Sequence, residues 1–285
     1  MFDPNENPLA AEAPGDLPGS NPTTPLDPAI ALPAQFSLPF RSFPAWSGWD
    51  VLAVLVVTAV AVFGFSLAAL FIARTAPGYR NMTIAELATD ARVVIGAQAA
   101  AYPIILLFMF VLVRSRSHEP FGKAIHWNWP GVSAPGFFVL GTIVAVVVDG
   151  LSRFLPIPKS LPMDKYFHDA ASAYLMAAFG MTLAPLLEEL FFRGLLYPVL
   201  RRAFGLTIAV VLTAAAFAGI HGTQLAYAWA PILSIFVVGV VFTVARERTN
   251  SVASSFLMHC GYNFALFALL WLASDHYRHL EKVTN

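Results

Sequence analysis

Residues 203–245 read AFGLTIAVVLTAAAFAGIHGTQLAYAWAPILSIFVVGVVFTVA, 43 residues without a charged side chain between Arg202 and Arg246. A helix crossing about 30 Å of hydrocarbon needs roughly 20 apolar residues. The stretch therefore holds two spans, with their break at His221-Gly222-Thr223-Gln224, ahead of Pro231. Outward from it the pattern repeats. Arg248 to Asp275 brackets 26 uncharged residues, Arg92 to Arg114 brackets 21, and Asp50 to Arg74 brackets 23. Gly136–Leu155 is a span interrupted by Asp149 and Arg153, and Ala170–Leu187 runs for 18 uncharged residues straight into Glu188. The expected fold is all-α: a polytopic transmembrane helical bundle of about seven spans, or eight if Ala170–Arg202 is divided near Pro185.

Composition agrees with this. Of 285 residues, 58% are hydrophobic and 12% charged, about half the charged share of soluble domains. Lys plus Arg equals Asp plus Glu at 17 each, so no basic excess exists to neutralise phosphates, and nucleic acid is excluded as a partner. Cys260, the one cysteine, excludes an intrachain disulfide framework and cysteine-based metal cages. The opening Met1-Phe2-Asp3-Pro4 does not read as a secretory signal. Ten of the 21 prolines and five acids fall within the first 44 residues, so residues 1–45 are expected to be a disordered, proline-rich acidic tail. Residues 46–275 then form the membrane domain and 276–285 a C-terminal tail. Alternate loops divide the bases nine to seven, a slight lean toward a cytoplasmic N-terminus. The bilayer is the first partner, with the cell's inner or plasma membrane as the expected location. Trp46, Trp49, Trp127 and Trp129 read as interfacial anchors.

An ionisable group in a membrane helix costs at least about 2.5–3.5 kcal/mol, so each needs a partner or a function. In PLLEELFFRG, residues 185–194, Glu188 and Glu189 point about 100° apart around a helix. Glu189 and Arg193, at i and i+4, can pair. Glu188 is left without a local base, as a proton-transferring carboxylate would be; a helix-end position with both acids paired to Arg193, Arg201 and Arg202 is the plainer alternative. In FAGIH, residues 217–221, His221 is either a packing residue or a partner for Glu188. With a turn near Phe204-Gly205, Glu188 lies about 16 residues before it and His221 about 16 after, at matched depth in two antiparallel helices. A carboxylate and an imidazole so placed can activate water. In HCGYN, residues 259–263, His259 and Asn263 share a face one turn apart, as donors for an oxyanion or as a polar seam, and Gly261 admits a neighbouring backbone. Asp149 and Arg153 read as a self-neutralising pair. His118, His126, His168, His276 and His279 fall in loops or helix ends and are given no role.

Taken together, EELFFR (Glu188 to Arg193), FAGIH and HCGYN resemble the three motifs of the CPBP family, the CAAX-protease and bacteriocin-processing group of intramembrane proteases. The resemblance covers about Met181 to Leu270, a third of the chain, within an expected protease core at about residues 170–272. It implies an intramembrane endopeptidase of the CAAX-protease type with Glu188 as base, His221 as its partner, and His259 and Asn263 as an oxyanion hole. Glu189 and Arg193 become a supporting ion pair, and Phe217 a supporting residue. The implied substrate is a membrane-associated peptide or a prenylated protein C-terminus. The family has been called metalloprotease. A divalent metal such as zinc would draw on His221, His259 and Glu188, yet glutamate and histidine can activate water with no cofactor, and no H-E-x-x-H pair is present. Two other readings compete: a non-proteolytic scaffold or bacteriocin-immunity protein, and a proton-coupled transporter using Glu188, Asp149 and His221 as a relay. The transporter reading predicts two related halves, and no internal repeat is visible.

Overall fold

A computed structural model describes residues 44–158 and 160–280. All but the end of the expected N-terminal tail, and the last half of the C-terminal one, lie outside the described residues. The helices in chain order are α1 (Gly48–Thr75), α2 (Ile84–Leu87), α3 (Ala91–Arg116), α4 (Phe121–Ala124), α5 (Ala134–Ser152), α6 (Ala170–Met181) and α7 (Leu183–Glu189). A π-helical stretch, Leu190–Leu196, leads into α8 (Tyr197–Ile220), followed by α9 (Trp229–Thr249) and α10 (Val252–Ala273). No strand occurs among the described residues. Among the described residues, six helical stretches are long and apolar enough to cross a membrane.

One of those six, Ala170–Ile220, is 51 residues long, and three local features fold it. Pro185 has no N–H, and its ring excludes the carbonyl four residues back, Met181. The helix breaks there, with Thr182 at φ −131°, ψ −75°, three residues before the expected division. Next, Pro198 cannot donate to Gly194, and the strain is taken up by the wider π turn, in which the Tyr197 N–H reaches back to the Phe192 carbonyl. Third, Gly205 adopts φ 79°, ψ −178°, a conformation open essentially to glycine alone. The chain reverses at this point. The rings of Phe192 and Phe217 stack edge-on at 5.3 Å, although 25 residues of straight helix would separate them by more than about 35 Å. Six candidate spans among the described residues, one of them folded back on itself at Gly205, are roughly consistent with the expected seven or eight.

Close backbone approach sets the position of α10. A methyl group added to Gly141 would overlap the Met258 carbonyl oxygen, and one added to Gly261 would overlap the Phe138 carbonyl oxygen. Bare glycines therefore let α5 and α10 cross backbone to backbone, the packing small residues allow in lipid. The Thr142 hydroxyl donates to the Gly261 carbonyl at 3.1 Å across the same crossing. At the other side of the bundle the Asp50 carboxylate takes two hydrogen bonds from Arg116, at 3.0 and 2.8 Å, joining α1 to α3. Trp46 is not the interfacial anchor its sequence position suggested. It is buried, and its indole N–H donates to the Leu195 carbonyl at 3.0 Å, in the π stretch. Trp49, by contrast, is exposed.

Candidate active site

The two glutamates at the end of α7 part company as adjacent helical residues must. Glu189 is fully buried, whereas Glu188 keeps 22% of its side-chain surface exposed. Glu189 Oε1 accepts from Arg193 Nη1 at 2.8 Å and from His259 Nδ1 at 3.0 Å. Arg193, also without exposed surface, spends its remaining edge on α9: Nε donates to Thr243 Oγ1 at 3.3 Å and Nη2 to the Gly239 carbonyl at 3.0 Å. Its guanidinium carbon lies 4.6 Å from the centre of the Phe217 ring and 5.6 Å from that of Phe242, within cation–π range. The i, i+4 pair therefore joins α7, the π stretch, α9 and α10 at one buried point. A guanidinium so enclosed is tolerable only because its donors and charge are met.

His259 faces both acids. Its Nε2 lies 3.7 Å from Glu188 Oε2, too long for a direct hydrogen bond. His221 ends α8, half-buried, and its Nδ1–H donates to the Phe217 carbonyl at 2.9 Å, which leaves Nε2 as the free acceptor. Phe217 stands between the imidazoles, edge-on to His221 at 5.1 Å and to His259 at 5.6 Å. The hairpin places Phe192 opposite Phe217, so Glu188, one turn before Phe192, lies level with His221, one turn after Phe217. Asn263 lies one turn beyond His259, and one N–H of its amide is engaged by the Gly180 carbonyl of α6 at 2.6 Å.

The structure thus brings Glu188, Glu189, Arg193 and His259 together, sets His221 one aromatic ring away, and ties Asn263 to α6. Asp149 and Arg153 pair at 3.2 Å with both side chains well exposed. An apolar cleft of about 410 Å³ opens between α6 and α10, with Tyr174, Ala177 and Met181 facing Phe264, Phe267 and Trp271. Zinc takes three protein ligands from His, Cys, Asp or Glu at a catalytic site, and no group of three placed to hold a metal ion occurs among the described residues.

This geometry lies within the span where similarity to known proteins was found. Residues 170–265 match the Rce1-like family of type II CAAX prenyl endopeptidases. The Rce1-like span contains EELFFR, FAGIH and HCGYN in order, so the family read from those motifs is the one the match returns. It covers a third of the chain, from the start of α6 to the middle of α10. No curated protein and no solved structure matches the chain. With its apolar helices, the Rce1-like match supports a multi-pass membrane protein with a CAAX-type intramembrane protease core.

Some residues that enclose this cluster escaped the sequence reading. Gly239, Phe242 and Thr243 on α9 complete the enclosure of Arg193. The available signal was Gly239 and Thr243 at i, i+4 in the apolar middle of α9, where the threonine hydroxyl returns to the Gly239 carbonyl at 2.7 Å.

Proposed function

We propose that the protein is an intramembrane endopeptidase that hydrolyses a peptide bond near a prenylated CAAX C-terminus, using water activated by Glu188 and histidine. The observation that carries this reading is the approach of a partly exposed carboxylate to an imidazole fixed from behind, inside the Rce1-like span. Glu188 takes a proton from water as the water oxygen attacks the scissile carbonyl, and returns it to the leaving amine. His221, level with Glu188 and bare at Nε2, assists in holding the water. His259 and Asn263 stabilise the tetrahedral oxygen, strengthened by the low dielectric of the site; Asn263 has a second amide N–H beside the one engaged by Gly180. The apolar cleft between α6 and α10 supports a substrate with a lipid chain. No step calls for a metal.

The test is cleavage by purified protein in liposomes, with a farnesylated CAAX peptide and its unprenylated counterpart as substrates. Mass spectrometry should find the truncated lipopeptide and the released C-terminal fragment from the first and little product from the second. Folded protein that yields no fragment from either would favour a non-proteolytic scaffold, and proton-coupled flux without cleavage would favour a transporter.

A further inference from the structure

We infer that Glu189 is a positioning residue for the reaction: it holds His259 in the tautomer whose bare Nε2 faces Glu188, making His259 the second acceptor for the proton taken from water. This deepens the proposed hydrolytic role and rests on it. A carboxylate can only accept hydrogen bonds, and Arg193, bonded to Glu189 Oε1 at 2.8 Å in full burial, keeps Glu189 in that form. His259 Nδ1, 3.0 Å from the same oxygen, must then carry the hydrogen. A neutral imidazole has one N–H, so its lone pair is on Nε2, the atom 3.7 Å from Glu188 Oε2. A water molecule can reach both atoms from the side where Glu188 is exposed. His259 is only 4% exposed, so bulk solvent offers Nδ1 no competing partner, and ring contacts to Phe217 at 5.6 Å and Phe242 at 5.0 Å restrain it from flipping.

This tautomer has a chemical consequence. Resting His259 cannot donate to an oxyanion, because its one N–H is spent on Glu189. It becomes a donor only after the water proton, passed first to Glu188, moves on to Nε2. The O–H bond of water breaks as its oxygen bonds to the carbonyl carbon, and the carbonyl π electrons move to oxygen. The imidazolium Nε2–H then donates to that oxygen. As the C–N bond breaks, the proton goes to the leaving nitrogen, and Glu188 and His259 return to their starting forms. Glu189 neither gains nor loses a proton in this sequence.

The experiment uses Glu189→Leu in the full chain, compared with wild type per folded molecule in liposomes with the farnesylated peptide. Arg193 and His259 share the one oxygen Oε1, so a glutamine would keep the same acceptor; leucine removes it and no longer commits His259 Nδ1 to its hydrogen, and kcat should fall about 10–100-fold, as for partners that orient a ligand from behind, with KM within about twofold. Wild-type kcat, or a change confined to KM, overturns the inference. If the variant does not fold, the wild-type protein decides. Long-range ¹H–¹⁵N correlations of histidine-labelled protein, with the His259 signals identified by their loss in His259→Gln, should give a neutral ring protonated at Nδ1. A ring protonated at Nε2, or at both nitrogens in the resting protein, overturns it. The underlying reading fails separately: cleavage by Glu188→Gln would remove Glu188 as base whatever tautomer His259 adopts.

Discussion

Replacing Gly261 by alanine adds one methyl group where α10 presses on α5. That methyl would overlap the Phe138 carbonyl oxygen and crowd its carbonyl carbon, both rigid backbone atoms. No side chain can rotate away, so the two helices must separate to restore van der Waals distance. Overpacking of this kind costs about 1–3 kcal/mol, and at roughly 2–4 °C per kcal/mol for a chain of this size class the midpoint should fall by about 2–12 °C. Gly261 lies midway between His259 and Asn263, so the displacement draws His259 from Glu189, 3.0 Å away, and Asn263 from Gly180. Activity should therefore fall with stability. Gly64 provides the control: it lies in α1 with nothing within 4 Å of an added methyl, and alanine there should leave both quantities unchanged or slightly raise stability. The assay is thermal unfolding in detergent, by tryptophan fluorescence, paired with peptide cleavage. Wild-type midpoint and cleavage in Gly261→Ala would refute the backbone crossing and the placement of His259 derived from it.

Glu189→Ala strands a fully buried guanidinium and should cost about 3–5 kcal/mol, seen as a loss of monodisperse protein on size exclusion. Gly205→Ala forces a side chain into backbone space that only glycine occupies freely; about 1–3 kcal/mol of destabilisation is expected in detergent unfolding. At the start of α6, the backbone N–H of Ser172 beside Asp169, helped by Arg92, holds the Asp169 carboxyl below its ordinary value of 3.8. A depressed folded-state value contributes stability that is complete above that ordinary value and is lost as pH falls through the lower one. Wild type should therefore unfold slightly later than Asp169→Asn at pH 7, by under about 1 kcal/mol for so exposed a pair. The gap should close on acidification below the carboxylate range, and a gap that widened would contradict the assignment.

How far the sequence led depended on how local each determinant was. The hairpin at Gly205 and the Glu189–Arg193 pair were legible because both are set within a few residues, one by a glycine among apolar residues and the other by i, i+4 spacing. The break before α7 was placed at Pro185 and fell at Thr182, because proline disturbs the turn preceding it. What could not be read was which helix faces which. The imidazole against Glu188 is His259, 71 residues away, and its approach depends on α10 docking against α5 through Gly141 and Gly261. Asn263 reads as a free amide until α6 is alongside. Trp46 has the flanking position of an anchor, and only the carbonyl of Leu195 exposes it as a buried donor.

Single-turnover cleavage of the farnesylated peptide, with wild type and Glu188→Gln reconstituted in equal folded amounts, tests the central claim most directly. The account requires product from wild type and none above background from the variant, with both proteins unfolding at closely similar temperatures. Matching cleavage by the two would contradict it.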